Sequence, residues 1–341
     1  MTQTSTVLIL GARGRFGSAA VRAFARAGWQ VFAQMRPGAS GPAIAGVSWL
    51  AAEPGDTALL ALAARDATVV VQGLSPAYTH KAWRRDLPGL TQAAIDVSRA
   101  LGATLMLPAS VYNFGESMPP LLREHTVQAA STFKGNMRIA SEAQIRAATL
   151  GGRMKAVVIR GGDFFGSGSG VWLDEVMVKA IQRGSFTYPG HMNVPTAWAY
   201  LPDMANSFVA VASRHHDLPA FETFHFGGYS LTGQDWVHAL TVIAREQGWL
   251  PAGGQLNSRL LPWLPMRALG LVVPKIAALC EMRYQWFTPH ALVNTRMAAL
   301  TGPEPHTPFP EALRTALAGL GLLSLTTAGA ASAPALTEST A

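Results

Sequence analysis

The chain has 341 residues, of which 49% are hydrophobic and only 14% charged, a composition that supplies a large core and excludes a disordered chain. The formal net charge of +7 is spread along the sequence without a basic run, and no zinc-finger or RNP spacing occurs, so no nucleic-acid partner is expected. A surplus of this kind suits anionic small molecules.

The single cysteine, Cys280, excludes an internal disulfide, and its apolar surroundings mark it as a packing residue. His215 and His216 are adjacent and would point apart on a helix, so no metal site is assigned. The most apolar late stretch, 260–280, is cut by Pro262, Pro265 and Pro274 and carries Arg267 and Lys275. A spanning helix needs about twenty unbroken apolar residues. The opening run TVLIL is short and lacks the basic flank of a secretory leader. A cytoplasmic location with no membrane partner is therefore expected.

In chain order, residues 6–10 form a short apolar strand and 15–27 an amphipathic helix with Phe16, Ala20, Phe24 and Ala27 on one face. Residues 29–35 and the segment VSWLA are the next two strands. A helix over 56–64 follows, with Asp56 at its N-cap position. Residues 67–73 make a fourth strand, and a long helix over 83–101 ends at Gly102. A fifth strand over 103–110, a helix over 127–150 and a sixth strand over 154–160 complete the regular half. Strands that are apolar on both faces and separated by helices predict a parallel, doubly wound sheet of the Rossmann α/β class. The expected organisation is a dinucleotide-binding Rossmann domain over 1–160, a smaller and less regular substrate-binding part over 161–320 interleaved with it, and a disordered Ala/Ser/Thr-rich tail over 321–341.

GARGRFG sets Gly11, Gly14 and Gly17 at the junction of the first strand and first helix. The first glycine permits the tight turn, the second lets backbone amides approach a pyrophosphate, and the third allows close helix packing. The helix N-terminus offers free amides and a positive partial charge to the anion. An acid at the end of the second strand would bind the adenine ribose of NAD. Gln34, Met35 and Arg36 stand there instead. Arg36, with Arg13 or Arg15, could pair with a 2′-phosphate. NADP(H) is the expected cofactor, with NAD(H) as the alternative. Contacts to it are expected from Gly11, Arg13, Gly14, Arg15, Phe16, Gly17, Arg36, Asp56, Gly73, Leu74, Pro108 and Lys134.

The spacing Gly-x-x-Gly-x-x-Gly resembles that of the extended short-chain dehydrogenase/reductase superfamily. PASVYNFGE after the fifth strand is similar to its Ser-x-x-Val-Tyr-Gly segment, and RGGDFFGSG after the sixth to its Arg-x-x-Asn-x-Tyr-Gly-Pro segment. AYLPDMANSFVAVA resembles a further helix start of the family, and EMRYQWFTPHALVNTRM resembles its NAD-dependent epimerase/dehydratase-like members. The resemblance runs to about residue 320.

The resemblance implies catalysis by Tyr-x-x-x-Lys with an upstream Ser. Here the set departs from the pattern. Counting back from Glu142 puts Arg138 at the Lys position and Lys134 at the Tyr position, and no Tyr lies between Tyr112 and Tyr188. Pro108 stands at the Ser position, with Ser110 two residues later. Lys134, Arg138, Tyr112 and Ser110 are the candidate catalytic residues, and Tyr78 is a second candidate phenol. Lys134 and Arg138, four apart, share a helical face and could hold the ribose, the phosphates or an anionic substrate. Trp172, Trp198, Phe164 and Phe165 are expected on the substrate side. One reading is an NAD(P)-dependent oxidoreductase or epimerase/dehydratase. The other is a catalytically inactive NADP(H)-binding sensor or regulator. The resemblance also implies a homodimer packed through the two long helices.

Overall fold

The computed structural model describes residues 5–324. The expected tail over 321–341 falls outside them from 325 onward. The elements run β1 (Thr6–Leu10), α1 (Arg15–Arg26), β2 (Gln30–Met35), β3 (Val47–Ala51), α2 (Thr57–Ala63), β4 (Val69–Gln72), α3 (His80–Leu101), β5 (Thr104–Ser110), β6 (Leu121–Leu122), α4 (Phe133–Thr149) and β7 (Lys155–Gly161). Then come β8 (Asp163–Phe165), β9 (Ser185–Tyr188), β10 (Thr196–Tyr200), α5 (Leu201–Ala212), β11 (Phe221–His225), β12 (Tyr229–Leu231) and α6 (Gly233–Glu246). The chain closes with β13 (Asn257–Leu260), α7 (Trp263–Gly270), α8 (Pro274–Cys280), β14 (Ala291–Leu292), α9 (Thr295–Thr301) and α10 (Phe309–Gly319).

Seven parallel strands form the main sheet in the order β11-β7-β5-β4-β1-β2-β3. β1 shows why the sheet is covered on both sides. Val7 and Ile9 join the core beneath α1 and α5, while Leu8 and Leu10 join the core beneath α3 and α4. All four are fully buried, and their alternation follows the two-residue period of a strand. The chain leaves β1 toward β2 and β3 and returns on its other side as β4. That reversal is the switch point at which a doubly wound sheet opens a crevice.

Residues beyond 161 build a second, aromatic core. β12, β10 and β8 pair in a small sheet against α6 and α10, with Trp198, Trp236 and Phe165 at the centre. β11, from the same stretch of chain, extends the main sheet.

Two helix starts differ from expectation for the same reason. α4 begins at Phe133 rather than near 127, because the Thr132 hydroxyl accepts the Gly135 amide at 3.1 Å and caps the helix there. α3 begins at His80, where Thr79 accepts the Ala82 amide. Gly102 ends α3 in the left-handed region, at φ +63°. Among the described residues no helix is long and apolar enough to cross a membrane.

Candidate cofactor and active site

The first turn leaves β1 at Gly11, whose φ of +66° favours glycine. A Cβ there would lie 2.9 Å from the Gly73 carbonyl carbon. A Cβ on Gly17 would collide with the Gly11 carbonyl oxygen. The ends of β1 and β4 therefore touch through bare backbone. Gly14 is the N-cap of α1. It supplies no side-chain cap, and no acid stands in the first turn. The first amides of α1 thus keep their hydrogen-bonding capacity for a ligand. This cradle fits a pyrophosphate.

Gln34, at the end of β2, is turned inward. Its carbonyl oxygen accepts the Gly11 amide at 2.8 Å, and its own amide donates to the Ala52 carbonyl at 2.6 Å. The residue that takes the place of a ribose-binding acid braces the glycine turn. Arg13 and Arg36 are both exposed.

Above the strand ends lies a cavity of about 660 Å³. Arg13, Gly14, Arg15 and Phe16 line it from the first turn, Gly73 and Leu74 from the end of β4, and Pro108 from β5. Gly11 and Gly17 lie just behind that wall, as their backbone approaches require. Arg36, Asp56 and Lys134 are not among the lining residues. Asp56 is exposed and accepts the Glu53 amide at 3.0 Å, shaping the turn into α2.

A glycine-rich loop closes the opposite wall. The Arg15 guanidinium donates to the carbonyls of Gly170 at 2.8 Å and Ser169 at 3.2 Å. Ser167 donates to the Arg15 carbonyl at 2.9 Å and accepts from Arg22 at 3.2 Å. Beyond the loop, Glu175 pairs with Lys275 of α8 at 2.7 Å, and both line the rim.

Ser110, Tyr112, Tyr78, Arg138 and Asp163 line the same cavity. The Ser110 hydroxyl and the Arg138 Nε are buried without a hydrogen-bond partner. Arg138 stacks on the Trp83 ring at 4.8 Å. Tyr78 and Tyr112 are neighbours in this wall. Burial pushes both phenols above their ordinary range, and the Asp163 carboxyl raises Tyr112 further, while the neighbouring Tyr78 hydroxyl and the charges of Arg138 and Arg15 pull Tyr112 back down. Burial also pushes the Asp163 carboxyl up to about 7. Its position is fixed by β8, which pairs with β10 so that Asp163 lies opposite Trp198. Asp163 escaped the sequence reading. Its signal was an acid where the resembled motif carries an amide.

Lys134 does not itself line the cavity, although its ammonium sits 4.2 Å over the ring of Tyr78, which does. It is fully buried, and its ammonium donates to the Ala278 carbonyl and lies 3.1 Å from the Glu281 carboxylate. Its backbone amide donates to the same carboxylate at 3.0 Å. Burial draws the Lys134 pKa down to about 8, against the pull of Glu281. Burial pushes Glu281 up, but the Lys134 charge and the hydrogen bonds from Lys134 and His80 outweigh it and leave the carboxyl below its usual range. Behind Arg138, the buried Glu142 carboxylate takes Arg160 at 2.5 Å and the Asn113 amide at 2.9 Å.

Of the expected substrate-side aromatics, Phe164 and Trp172 line the cavity. Trp198 and Phe165 do not. Both are 0% exposed and pack into the aromatic core with Trp236, Tyr200 and Tyr229.

No protein-family model matches the sequence, and no curated protein matches it. Solved structures match its fold. UDP-glucose 4-epimerase from Brucella ovis in complex with NAD superposes with a TM-score of 0.70 at 14% identity, over 94% of this chain and 98% of that one. The Bordetella bronchiseptica enzyme WbmH in complex with NAD+ gives 0.69 at 15%, over 94% and 99%. MoeE5 in complex with UDP-glucuronic acid and NAD gives 0.68 at 13%, over 93% and 99%. The chain therefore shares the fold of these solved structures.

Proposed function

We propose that this chain is an enzyme of the extended short-chain dehydrogenase/reductase type, moving hydride between a nicotinamide dinucleotide and a carbonyl or alcohol carbon. The observation that carries this reading is a shared cavity. The uncapped start of α1 and four polar side chains, Ser110, Tyr112, Arg138 and Asp163, open into the same space. A division into a dinucleotide-binding part over 1–160 and a substrate-binding part over 161–320 belongs to the same reading.

NADP(H) is the cofactor in this reading. The end of β2 has no carboxylate, Gln34 is engaged with Gly11 and Ala52, and Arg13 and Arg36 are free to meet a 2′-phosphate. The amides of α1 would hold the pyrophosphate, with Gly73, Leu74 and Pro108 beneath the rest of the molecule. When bound, the nicotinamide supplies or accepts the hydride.

The remaining chemistry falls to the chain. The Ser110 hydroxyl has an unused donor for the substrate oxygen. The Tyr112 phenol stays protonated at neutral pH and can donate beside it. Asp163 holds or releases a proton close to neutrality, the range a general acid–base group needs. Arg138 offers positive charge to an oxygen that becomes anionic. Lys134 is a positioning residue that anchors α8 near the rim. Phe164, Val171, Trp172, Val176 and Leu279 give the cavity an apolar wall, which favours a carbonyl compound with an apolar body over a UDP-sugar of the kind bound by MoeE5. A homodimer through α3 and α4, which lie side by side with Thr91 and Ser141 bonded at 2.8 Å, completes the reading.

The test is turnover of NADPH and NADH with apolar carbonyl compounds and with nucleotide sugars, in the parent chain and in Tyr112→Phe and Asp163→Asn. The expected result is NADPH-dependent reduction of a carbonyl compound that either variant slows at unchanged NADPH affinity. Tight binding without turnover in any panel would favour a cofactor-sensing protein instead. Arg36→Asp should weaken NADPH far more than NADH, and equal effects on both would remove the NADP assignment.

A further inference from the structure

We propose that the α7–α8 hairpin docks this protein onto an anionic lipid surface. Eleven large hydrophobic side chains are exposed among the described residues, and five of them fall between 260 and 272. These are Leu260, Leu264, Leu269, Leu271 and Val272. Leu271 and Val272, at the turn between the helices, are 88% and 75% exposed. The turn is closed by its own backbone, with the Val273 amide donating to the Leu269 carbonyl at 2.9 Å. Close packing at its base holds the hairpin together: a Cβ on Gly270 would lie 3.2 Å from the Ala277 backbone. The apolar residues are thus presented outward on a defined element. A patch of this kind marks an interaction surface.

Charge selects the partner. Between 259 and 283 the exposed charges are Arg259, Arg267, Lys275 and Arg283. The one acid in that stretch, Glu281, is held by Lys134 and His80, and Lys275 is paired with Glu175 at 2.7 Å, which leaves Arg259, Arg267 and Arg283 as the exposed cations without a carboxylate partner among the described residues. An apolar tip flanked along the chain by exposed arginines fits the headgroup region of a bilayer containing anionic lipid. A second copy of this hairpin fits poorly, because the same cations would face each other. Docking of this kind needs no spanning helix, and it revises the expectation that the chain has no membrane partner. It goes beyond the reaction proposed above and does not depend on it. It would also set Lys275 and Leu279, at the rim of the cavity, close to the lipid.

The test is co-sedimentation of the full chain with phosphatidylcholine vesicles, with and without phosphatidylglycerol, at low and high salt. Light scattering on the same samples reports oligomeric state. The chain should sediment with the anionic vesicles, and salt should weaken the binding. Leu271→Glu/Val272→Glu should lower it by at least about tenfold, since burying one such side chain is worth about that factor. Arg267→Glu should lower it at low salt only. Circular dichroism spectra and thermal unfolding midpoints of the variants, unchanged from the parent, would show that they fold. The proposal is overturned if the parent chain stays in solution with anionic vesicles, if it binds both vesicle types equally, or if the double variant binds like the parent. It is also overturned if that variant merely converts a dimer to a monomer.

Discussion

A carboxyl group shielded from water and set beside phenols keeps its proton to higher pH than one in solvent. Asp163 is in that position, with a pKa near 7. If it gives the proton in carbonyl reduction, the rate falls as pH rises through about 7. Asp163→Asn should remove that limb and lower the rate by about 10²–10⁴-fold. A pH–rate profile unchanged in the variant would contradict the assignment. Gly17→Ala is a second test at this scale. Its methyl would strike the Gly11 carbonyl, so the turn must deform, and NADPH affinity should fall by at least about tenfold. Gly11, Gly14 and Gly17 were legible because their use is local, a turn followed by a helix start. Asp163 was not, because its burial comes from the pairing of β8 with β10, thirty and more residues downstream. Gln34 was read only as a missing acid. Its bonds to Gly11 and Ala52 depend on three strands meeting, which spacing in one strand does not reveal.

At the scale of elements, α4 carries two buried charge networks with different duties. Glu142 joins it to β7 through Arg160, which is fully buried and has Nε and Nη1 without partners. Removing one member of a buried pair leaves the other uncompensated. Glu142→Ala should therefore cost about 3–5 kcal/mol in denaturant unfolding, and a loss below about 1 kcal/mol would show that Arg160 is held some other way. Lys134 ties the start of α4 to the segment after α8. Lys134→Met should lower thermal stability while leaving NADPH affinity within about threefold, well under the tenfold that 1.4 kcal/mol represents. Loss of affinity at full stability would make Lys134 a cofactor ligand after all. The helical spacing of Lys134 and Arg138 was correct in sequence, yet Arg138 reaches the cavity and Lys134 turns to Ala278. Which way a long side chain turns depends on what packs above it, here a segment more than 140 residues later. β1, β4, β5 and β7 were legible because their residues are nearly all buried and mostly apolar, whereas β11 was missed because Glu222, Thr223 and His225 break up its apolar run. The start of α4 was missed because Thr132, not an apolar period, decides it.

For the whole molecule, burial controls the response to acid. His225, His290 and His215 are held neutral by burial, with pKa values drawn down to about 3, 4 and 4. In the unfolded chain they take up protons near 6.5. As pH falls from about 6.5 to 4 the unfolded state binds more protons than the folded one, so stability falls. Asp163 acts in the opposite sense, since its raised pKa favours the folded state at the acid end of its own window, but one carboxyl opposes three imidazoles. The midpoint of thermal unfolding should drop between pH 7.5 and 5, and a midpoint that rises over this interval would contradict the burial of these histidines.

The fold, the glycine cradle and the polar corner converge on one claim, that a nicotinamide dinucleotide occupies the cavity above β1 and β4. Trp83 and Trp172 line that cavity and give it an optical reporter. NADPH added to the full chain under tryptophan excitation should quench the indole emission and sensitise the dihydronicotinamide emission. Both signals should saturate together, with NADH requiring higher concentrations. No saturable transfer from either nucleotide, in a chain whose thermal unfolding shows it to be folded, would contradict the account.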